Sequence, residues 1–505
     1  MATAPLTEER AGTTDSRLIA RNSLVLLGRY LAIWGANILL VLFLPRYLGA
    51  QGLGQLQFAQ SFVALFSVAV GLGVRQYIIK EVARDQAQMH HLLGSAMGLR
   101  LLLAGVVLAA IAVVTEFSGH SETARRVIYF IVLWMIIRSF AHLMSTFLYG
   151  SESMGKASLG EIVNKIVVAV VGITLLVMGA DVVVYAGVMV LGAVVEFGVG
   201  AWFVRRLTRL RIDVNRQRMK TLVIGGMPFL MMGFLLNVYT HTDIVMLRFL
   251  TSEEVVGWHS AGFQIYRSLE FLPVVLTTAL LPTLARMYKS GTPETPFVSA
   301  RSIGVVLLVM VPVGVGMSLV ARELIAFMPY PSTFSNTVPV LTVLALSSPI
   351  TALLIVFGTI AAAVDRQVAW AIAMVGTVSA NIALNALAIP YFQDAYGNGG
   401  IGAATVTLMS EALMVTIGIW LVPKGMFNRH LALMVLRVGA SASIMTAGVL
   451  AAKTLGLGLF PLVGVGVAIY GLLVVVTQAV TRQDIAFLKS TISRGSGKDS
   501  PREPL

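Results

Sequence analysis

The sequence predicts an all-α polytopic membrane protein with fourteen transmembrane helices, arranged as two six-helix lobes plus a C-terminal helix pair. Three observations carry that expectation. Of the 505 residues 57% are hydrophobic and 12% charged, against roughly 25% charged in ordinary soluble domains. Mean hydropathy is +0.84, more apolar surface than a water-soluble particle of this size can hide. The same value excludes disorder, which needs low hydrophobicity. The apolar residues also come in runs of the roughly 20 that cross a bilayer core as helix. Cysteine is absent, so disulfides and thiolate metal sites are excluded.

Residues 1–16 are largely polar and read as a cytoplasmic N-terminal tail. The first lobe, 17–212, holds runs near 22–44, 53–74, 92–114, 127–149, 158–179 and 182–204. The first is too long for the apolar region of a cleaved leader. Only Ala180 and Asp181 separate the fifth from the sixth, which predicts a tight hairpin. The second lobe, 213–422, holds runs near 221–248, 256–281, 302–321, 336–358, 368–389 and 401–421. Its weakest are the seventh of the chain, with Asn237, His241 and Asp243, and the tenth, entered through Pro329, Pro331 and Pro339. The additional helix pair, 423–481, holds runs near 432–453 and 459–480, and 482–505 form a cytoplasmic C-terminal tail.

Orientation follows from Lys and Arg in the connections, which concentrate on the cytoplasmic side. With an even number of spans both termini share a side. That side carries 25 of the 37 cationic residues, the opposite side six, and the spans six. Both termini are therefore expected in the cytoplasm of a plasma (inner) membrane. Most of the net +13 is a topology signal that also attracts anionic membrane lipid. The densest block, Arg205 to Lys220, lacks interleaved aromatics and a surrounding soluble module, so a nucleic-acid partner is not expected.

The exit from span one, Arg46-Tyr-Leu-Gly-Ala-Gln-Gly-Leu-Gly54, is echoed by the exit from span seven, Arg248-Phe-Leu-Thr-Ser-Glu-Glu-Val-Val-Gly257. Both give Arg, an aromatic, Leu, a polar turn, a large aliphatic residue and Gly. The two units lie six helices apart, and repeated halves are typical of secondary transporters. Because six is even, the halves should run in the same direction through the membrane.

These residues also carry a resemblance. Leu44-Pro-Arg-Tyr-Leu-Gly-Ala-Gln-Gly-Leu-Gly-Gln-Leu, then Gly71-Leu-Gly-Val-Arg and Glu81-Val-Ala-Arg84, resembles the start of the Wzx-type polysaccharide-biosynthesis flippases. These are lipid-linked oligosaccharide exporters of the multidrug/oligosaccharidyl-lipid/polysaccharide flippase superfamily. Asn381-Ile-Ala-Leu-Asn385, Ile389-Pro390 and Gly399-Gly-Ile-Gly-Ala-Ala-Thr405 extend the match, which covers essentially all fourteen spans. The resemblance implies two six-helix lobes around a central cavity. It also implies export of an undecaprenyl-diphosphate-linked glycan, in concert with other polysaccharide-assembly membrane proteins.

Charges inside spans are costly and default to functional roles. Arg138 lies at the middle of span four, with His142, Ser145 and Tyr149 following at helical spacing. Arg267 is mid-span in eight, with Glu270 at i+3, and the pair reads either as a ligand set or as an internal ion pair. Arg29 reads either as an interfacial anchor or as a cavity residue. Arg100, Lys165 and Arg437 lie near cytoplasmic ends, where snorkelling accounts for them. Glu196 and Glu411 are lone intramembrane carboxylates, available for hydrogen bonding or for carrying protons. A diphosphate calls for the planar guanidinium fork, so Arg138, Arg267 and Arg29 are the candidate headgroup ligands, with His142, Tyr149 and Glu270 beside them.

Asp243 with Asn381 and Asn385 offers carboxylate and amide oxygens, which suit a hard cation. Lipid-II-exporting relatives imply such a Na⁺ site, with Thr405 where a hydroxyl ligand falls. The alternative for these residues is inter-helix hydrogen bonding. No cofactor is expected beyond Na⁺ or H⁺ as coupling ion. Gly150-Ser-Glu-Ser-Met-Gly-Lys156 approaches a phosphate-cradling loop, but Ala157 stands where the magnesium hydroxyl belongs. No catalytic constellation is present, and an enzyme is not expected. The rival readings are a drug/cation antiporter, which needs no anion-binding arginines, and a glycan polymerase or ligase, which needs a large outer loop.

Overall fold

A computed structural model describes residues 6–478, apart from 87–88, 120, 152, 210–211, 291–294 and 423–424. The C-terminal tail expected at 482–505 and the first five residues of the N-terminal tail lie outside the described residues. Every regular element described is helical, as expected, and the protein is a multi-pass membrane protein. The chain divides into two compact units, Met1–Gly257 and Trp258–Leu505.

The first unit contains α1 (Leu6–Gly71), α2 (Val74–Arg84), α3 (Met89–Phe117), α4 (Glu122–Gly150), α5 (Met154–Val177), α6 (Val182–Val204) and α7 (Arg216–Leu250). It ends in the first turn of α8 (Glu253–Arg267). α1 joins the first two expected spans through Gly49, whose φ of 65° departs from helix geometry just after Pro45. α2 is set apart from α1 by Leu72 and Gly73, both at positive φ. The expected hairpin at 180–181 is present: Gly179 turns at φ 92°, and Asp181 caps α6 by accepting from Val184 N at 3.0 Å. Ser121 caps α4 and Asn215 caps α7 in the same manner.

α4 and α6 pack closely, as do α5 with α6 and α1 with α4, α5 and α7. Ile78, Leu93, Leu143, Phe147, Val204 and Leu222 form much of the buried core toward the expected cytoplasmic ends. Gly94 and Gly98 on α3 form a G-x-x-x-G spacing that allows a close approach. Gly94 accepts from Asp213 N at 3.1 Å, and a Cβ on Gly98 would stand 3.0 Å from the Asp213 carbonyl.

The two echoed exit motifs meet backbone to backbone within this unit. A Cβ on Gly54 would fall 1.8 Å from the carbonyl oxygen of Glu253, and one on Gly257 would fall 1.9 Å from that of Ala50. Around this crossing Glu253 accepts from Gln55 at 2.7 Å and from Arg248 at 3.1 Å.

The second unit contains the rest of α8, then α9 (Phe271–Lys289), α10 (Thr295–Leu319), α11 (Ala321–Phe327), a 3₁₀ turn at Ser332–Asn336, and α12 (Thr337–Ala363). It continues with α13 (Gln367–Tyr396), α14 (Gly399–Leu421), α15 (Arg429–Thr454) and α16 (Leu459–Val476). α13 and α14 form a hairpin through Gly397, at φ 66°, and Asn398, whose side chain accepts from Gly400 N. α15 and α16 pack on each other, α15 also on α10. Tyr470 donates to the Leu308 carbonyl at 2.8 Å, and Lys453 pairs with Glu323 at 2.9 Å.

Among the described residues eleven helices are long and apolar enough to cross a membrane. They take in twelve of the fourteen expected runs, because Leu31–Arg84 spans the first two. The expected seventh span is helical as α7, and the eighth as α8 and α9, but neither is among the eleven. The eighth, expected as one helix, is interrupted by a turn at residues 268–270. Arg267 precedes that turn, Glu270 ends it and Pro273 follows it, so polar side chains and a missing N–H coincide.

Candidate functional site

The first unit encloses a cavity of about 470 Å³ lined from α1, α2, α3, α4 and α7. α4 supplies one stripe of it. Trp134, Arg138, His142 and Thr146 recur every four residues, so helical geometry stacks them on one face. The break at Leu72 and Gly73 starts α2 afresh, and Arg75 in its first turn reaches the same space. Arg100 enters from α3, while Asn237 and His241 enter from α7.

Three guanidinium groups therefore face one cavity, and no carboxylate is among its lining residues. Like charges held together in a low-dielectric region repel, and an anion between them relieves that repulsion. The three are held differently. Arg100 is buried and its Nη1 donates to the Ser139 carbonyl on α4. Arg75 lies over the Tyr149 ring at 5.4 Å. Arg138 lies over Trp134 at 5.0 Å, and its Nε is buried without a hydrogen-bond partner among the described residues. A buried N–H left in that way is an available donor for a bound acceptor. Asn237 Oδ1 is likewise unpartnered, and His241 Nδ1 stands 3.2 Å from Ser61 Oγ.

Behind the α4 stripe lies a second layer of polar groups. Glu196 of α6 is 1% exposed. One of its carboxylate oxygens accepts from Asn164 of α5, and Oε1 lies 3.9 Å from His142 Nε2. Donor atoms of His142, Glu161 and Glu196 all fall within 4.8 Å of one another. Arg29 of α1 already occupies this group, with Nη2 at 2.5 Å and Nε at 2.7 Å from Glu161 Oε2. An ion-paired guanidinium there leaves a metal cation little to gain.

Of the headgroup candidates read from sequence, Arg138 and His142 line the cavity, and Tyr149 stacks on a lining arginine. Arg29 is not among the lining residues and pairs with Glu161. Arg267 and Glu270 belong to the second unit, where they pair at 3.4 Å and Arg267 lies over Phe263 at 5.6 Å. Asp243 lies on α7 in the first unit. Asn381 and Asn385 lie on α13 in the second, where Asn385 donates to Asn381 at 3.0 Å and Asn381 donates to Ser410 of α14 at 3.2 Å. Thr405 of α14 donates to the Ile401 carbonyl at 2.8 Å. Arg75 and Arg100 escaped the sequence reading as site residues. The signal for Arg75 was the glycine pair of Gly71-Leu-Gly73, which marks a chain redirection rather than a helix running on into the cytoplasm.

The profile of the family described as "Polysaccharide biosynthesis protein" matches residues 19–288. A "Probable low-salt glycan biosynthesis flippase Agl15" from Haloferax volcanii is 21% identical over 397 residues, covering 78% of this chain and 81% of the relative. Among solved structures, "Lipid II flippase MurJ, inward closed conformation" superposes with a TM-score of 0.68 at 15% identity. That match covers 92% of this chain and 99% of the other. An inward-facing multidrug resistance MATE family transporter of the MOP superfamily follows at TM-score 0.60 and 14% identity, covering 77% and 93%. These likenesses show a shared fold.

Proposed function

The chain belongs to the polysaccharide biosynthesis protein family, and from that premise we propose that it flips an undecaprenyl-diphosphate-linked oligosaccharide from the cytoplasmic to the outer leaflet by alternating access. The observation that carries this reading is the cavity of Arg75, Arg100 and Arg138, cationic and free of carboxylates along its lining. A diphosphate needs several charge-assisted donors at once, and a guanidinium supplies them in a fixed plane. Trp134 and Tyr149 add ring faces beside those donors. A drug or organic-cation antiporter needs the opposite lining.

The work of transport fits the same charges. Moving one elementary charge through 100 mV is worth about 2.3 kcal/mol, so an anion leaving a negative interior is driven outward. The emptied arginine-lined carrier is drawn back by the same field. Both termini stand in the cytoplasm of the plasma membrane, and the carrier works beside other polysaccharide-assembly membrane proteins. The curated relative and the structural neighbours are described as flippases or transporters, and no enzymatic step is assigned to this chain.

The test is reconstitution in liposomes with a fluorescent prenyl-diphosphoryl sugar, read by quenching from outside. Wild type should move the probe between leaflets. Arg75→Ala and Arg138→Ala should each reduce the rate at least tenfold with protein incorporation unchanged. Equal rates in the variants would remove the cavity as headgroup site.

A further inference from the structure

We infer that His142 and Glu196 form a proton-binding pair coupled to the anion site, so that a proton is taken up as a diphosphate settles on Arg138. This rests on the headgroup reading above and adds to it a second ligand, the proton, and its seat. Glu196 is 1% exposed and lies inside α6, several residues from either end. Its Oε1 makes no hydrogen bond among the described residues. His142 Nε2 stands 3.9 Å from that oxygen, beyond hydrogen-bond range by about 1 Å, and a Glu161 oxygen lies within 4.8 Å of the same group. His142 itself opens into the cavity, so the histidine is the wall between the buried carboxylate and the anion site.

The neighbouring charges decide the direction of the coupling. On α1 and α5, Arg29 is held by Glu161, and Lys165 donates to Asn37 at 3.1 Å. Asn164 of α5 contributes an amide to Glu196. From α4, α2 and α3 His142 faces the cavity cations Arg138, Arg75 and Arg100, and of these Arg138 acts also on Glu196. With the cavity empty of anion, Arg138 and the Glu196 carboxylate offset each other across His142. A diphosphate on Arg138 takes over that role and brings more negative charge than one guanidinium balances. The carboxylate then keeps only the weaker attraction of Lys165, set against the like charge of Glu161, and a buried carboxylate so poorly compensated is penalised heavily in a membrane interior. One proton shared between Glu196 Oε1 and His142 Nε2 removes that penalty. It also supplies the hydrogen bond that the 3.9 Å gap lacks.

Linkage fixes the sign. The anion-bound state holds more protons, so affinity for the anion rises as pH falls, by at most about tenfold per pH unit for one proton. The coupled proton also cancels one of the charges carried with the headgroup, so the pair tempers the electrical asymmetry of the transport cycle.

The experiment is titration calorimetry on the full-length protein in detergent, with farnesyl-diphosphoryl N-acetylglucosamine as probe. A diphosphate diester keeps its charge through neutral pH, so the probe itself contributes no proton exchange. Binding is measured in two buffers of different protonation enthalpy, which counts protons taken up. Wild type should take up a substantial fraction of one proton near neutral pH. Glu196→Gln, which keeps an acceptor for Asn164, should bind the probe with no uptake and with affinity independent of pH. His142→Gln should reduce the uptake, and it serves as the reading if Glu196→Gln does not fold. Binding by wild type without proton uptake, or undiminished uptake in either variant, overturns the pair while leaving the cavity as headgroup site. No binding of the probe by wild type overturns both.

Discussion

A guanidinium at the middle of a membrane helix has to be satisfied, and Arg138 is satisfied only in part. Trp134 covers one face of it, and its buried Nε has no acceptor among the described residues. Arg138→Ala should therefore abolish glycan export in a complementation assay while leaving protein level unchanged. Arg138→Lys should restore it only partly, since an ammonium keeps the charge and loses the planar fork. Full export by Arg138→Ala would make the residue structural. Arg267 calls for the opposite expectation. It contacts Glu270 at 3.4 Å, and removing one partner strands the other charge, whereas removing both strands neither. Arg267→Ala combined with Glu270→Ala should thus be milder in export than either alone. A double variant as inactive as Arg267→Ala would instead give Arg267 a role independent of Glu270.

At the scale of elements, the crossing of the two echoed motifs is where one added methyl has the largest steric consequence. A Cβ at Gly54 would sit 1.8 Å from the Glu253 carbonyl oxygen, a backbone atom that cannot swing aside. Gly54→Ala should lower the thermal midpoint in detergent, at the scale of about 1–3 kcal/mol for overpacking. Gly105→Ala on α3, with nothing within 4 Å of its added Cβ, should be neutral or slightly stabilising, since alanine favours helix over glycine. Equal midpoints for the two variants would mean that the crossing relaxes freely. The echo between Arg46–Gly54 and Arg248–Gly257 was legible as a repeat, but a repeat does not reveal that its copies touch. The same limit explains the site. Mid-span Arg138 and its stripe were conspicuous because charge is rare in apolar runs. Along a straight helix Arg75 falls just past the end of the second run and counts as a loop cation, and Arg100 lies near a cytoplasmic end, where snorkelling accounts for it. The positive-φ residues Leu72 and Gly73 turn the chain and cancel that arithmetic for Arg75. For Arg100 the carbonyl of Ser139 on a neighbouring helix offers a partner inside, so the side chain need not snorkel. The break between α8 and α9 was hidden for a related reason: Arg267 and Glu270 look the same in sequence whether the helix continues or not.

For the whole molecule, that break bears on how many times the chain crosses the membrane. Topology is testable because the sequence has no cysteine, so each introduced thiol reports alone. Ser121 and Asn215 sit in convenient loops, but both cap helices, accepting from Ala124 N and Arg218 N. Their exposed neighbours Thr123 and Gln217 avoid the cost of a lost cap. A third thiol at Ser496 reports on the C-terminal tail, outside the described residues. The cationic bias of the connections places Gln217 and Ser496 inside and Thr123 outside. Thr123→Cys should react with a membrane-impermeant maleimide on intact cells, and Gln217→Cys and Ser496→Cys only after permeabilisation. The pair Gln217 and Ser496 carries the discrimination. Eight spans are expected between them, an even number, if α8 and α9 together cross once. Should α8 enter and α9 return to the same face, one crossing is lost and the two thiols fall on opposite sides. Labelling of Ser496→Cys from outside, with Gln217→Cys still protected, would therefore replace a broken span by a re-entrant one. Protection of both would make the turn at 268–270 an interruption within a single crossing, with Arg267 and Glu270 held at membrane depth by each other.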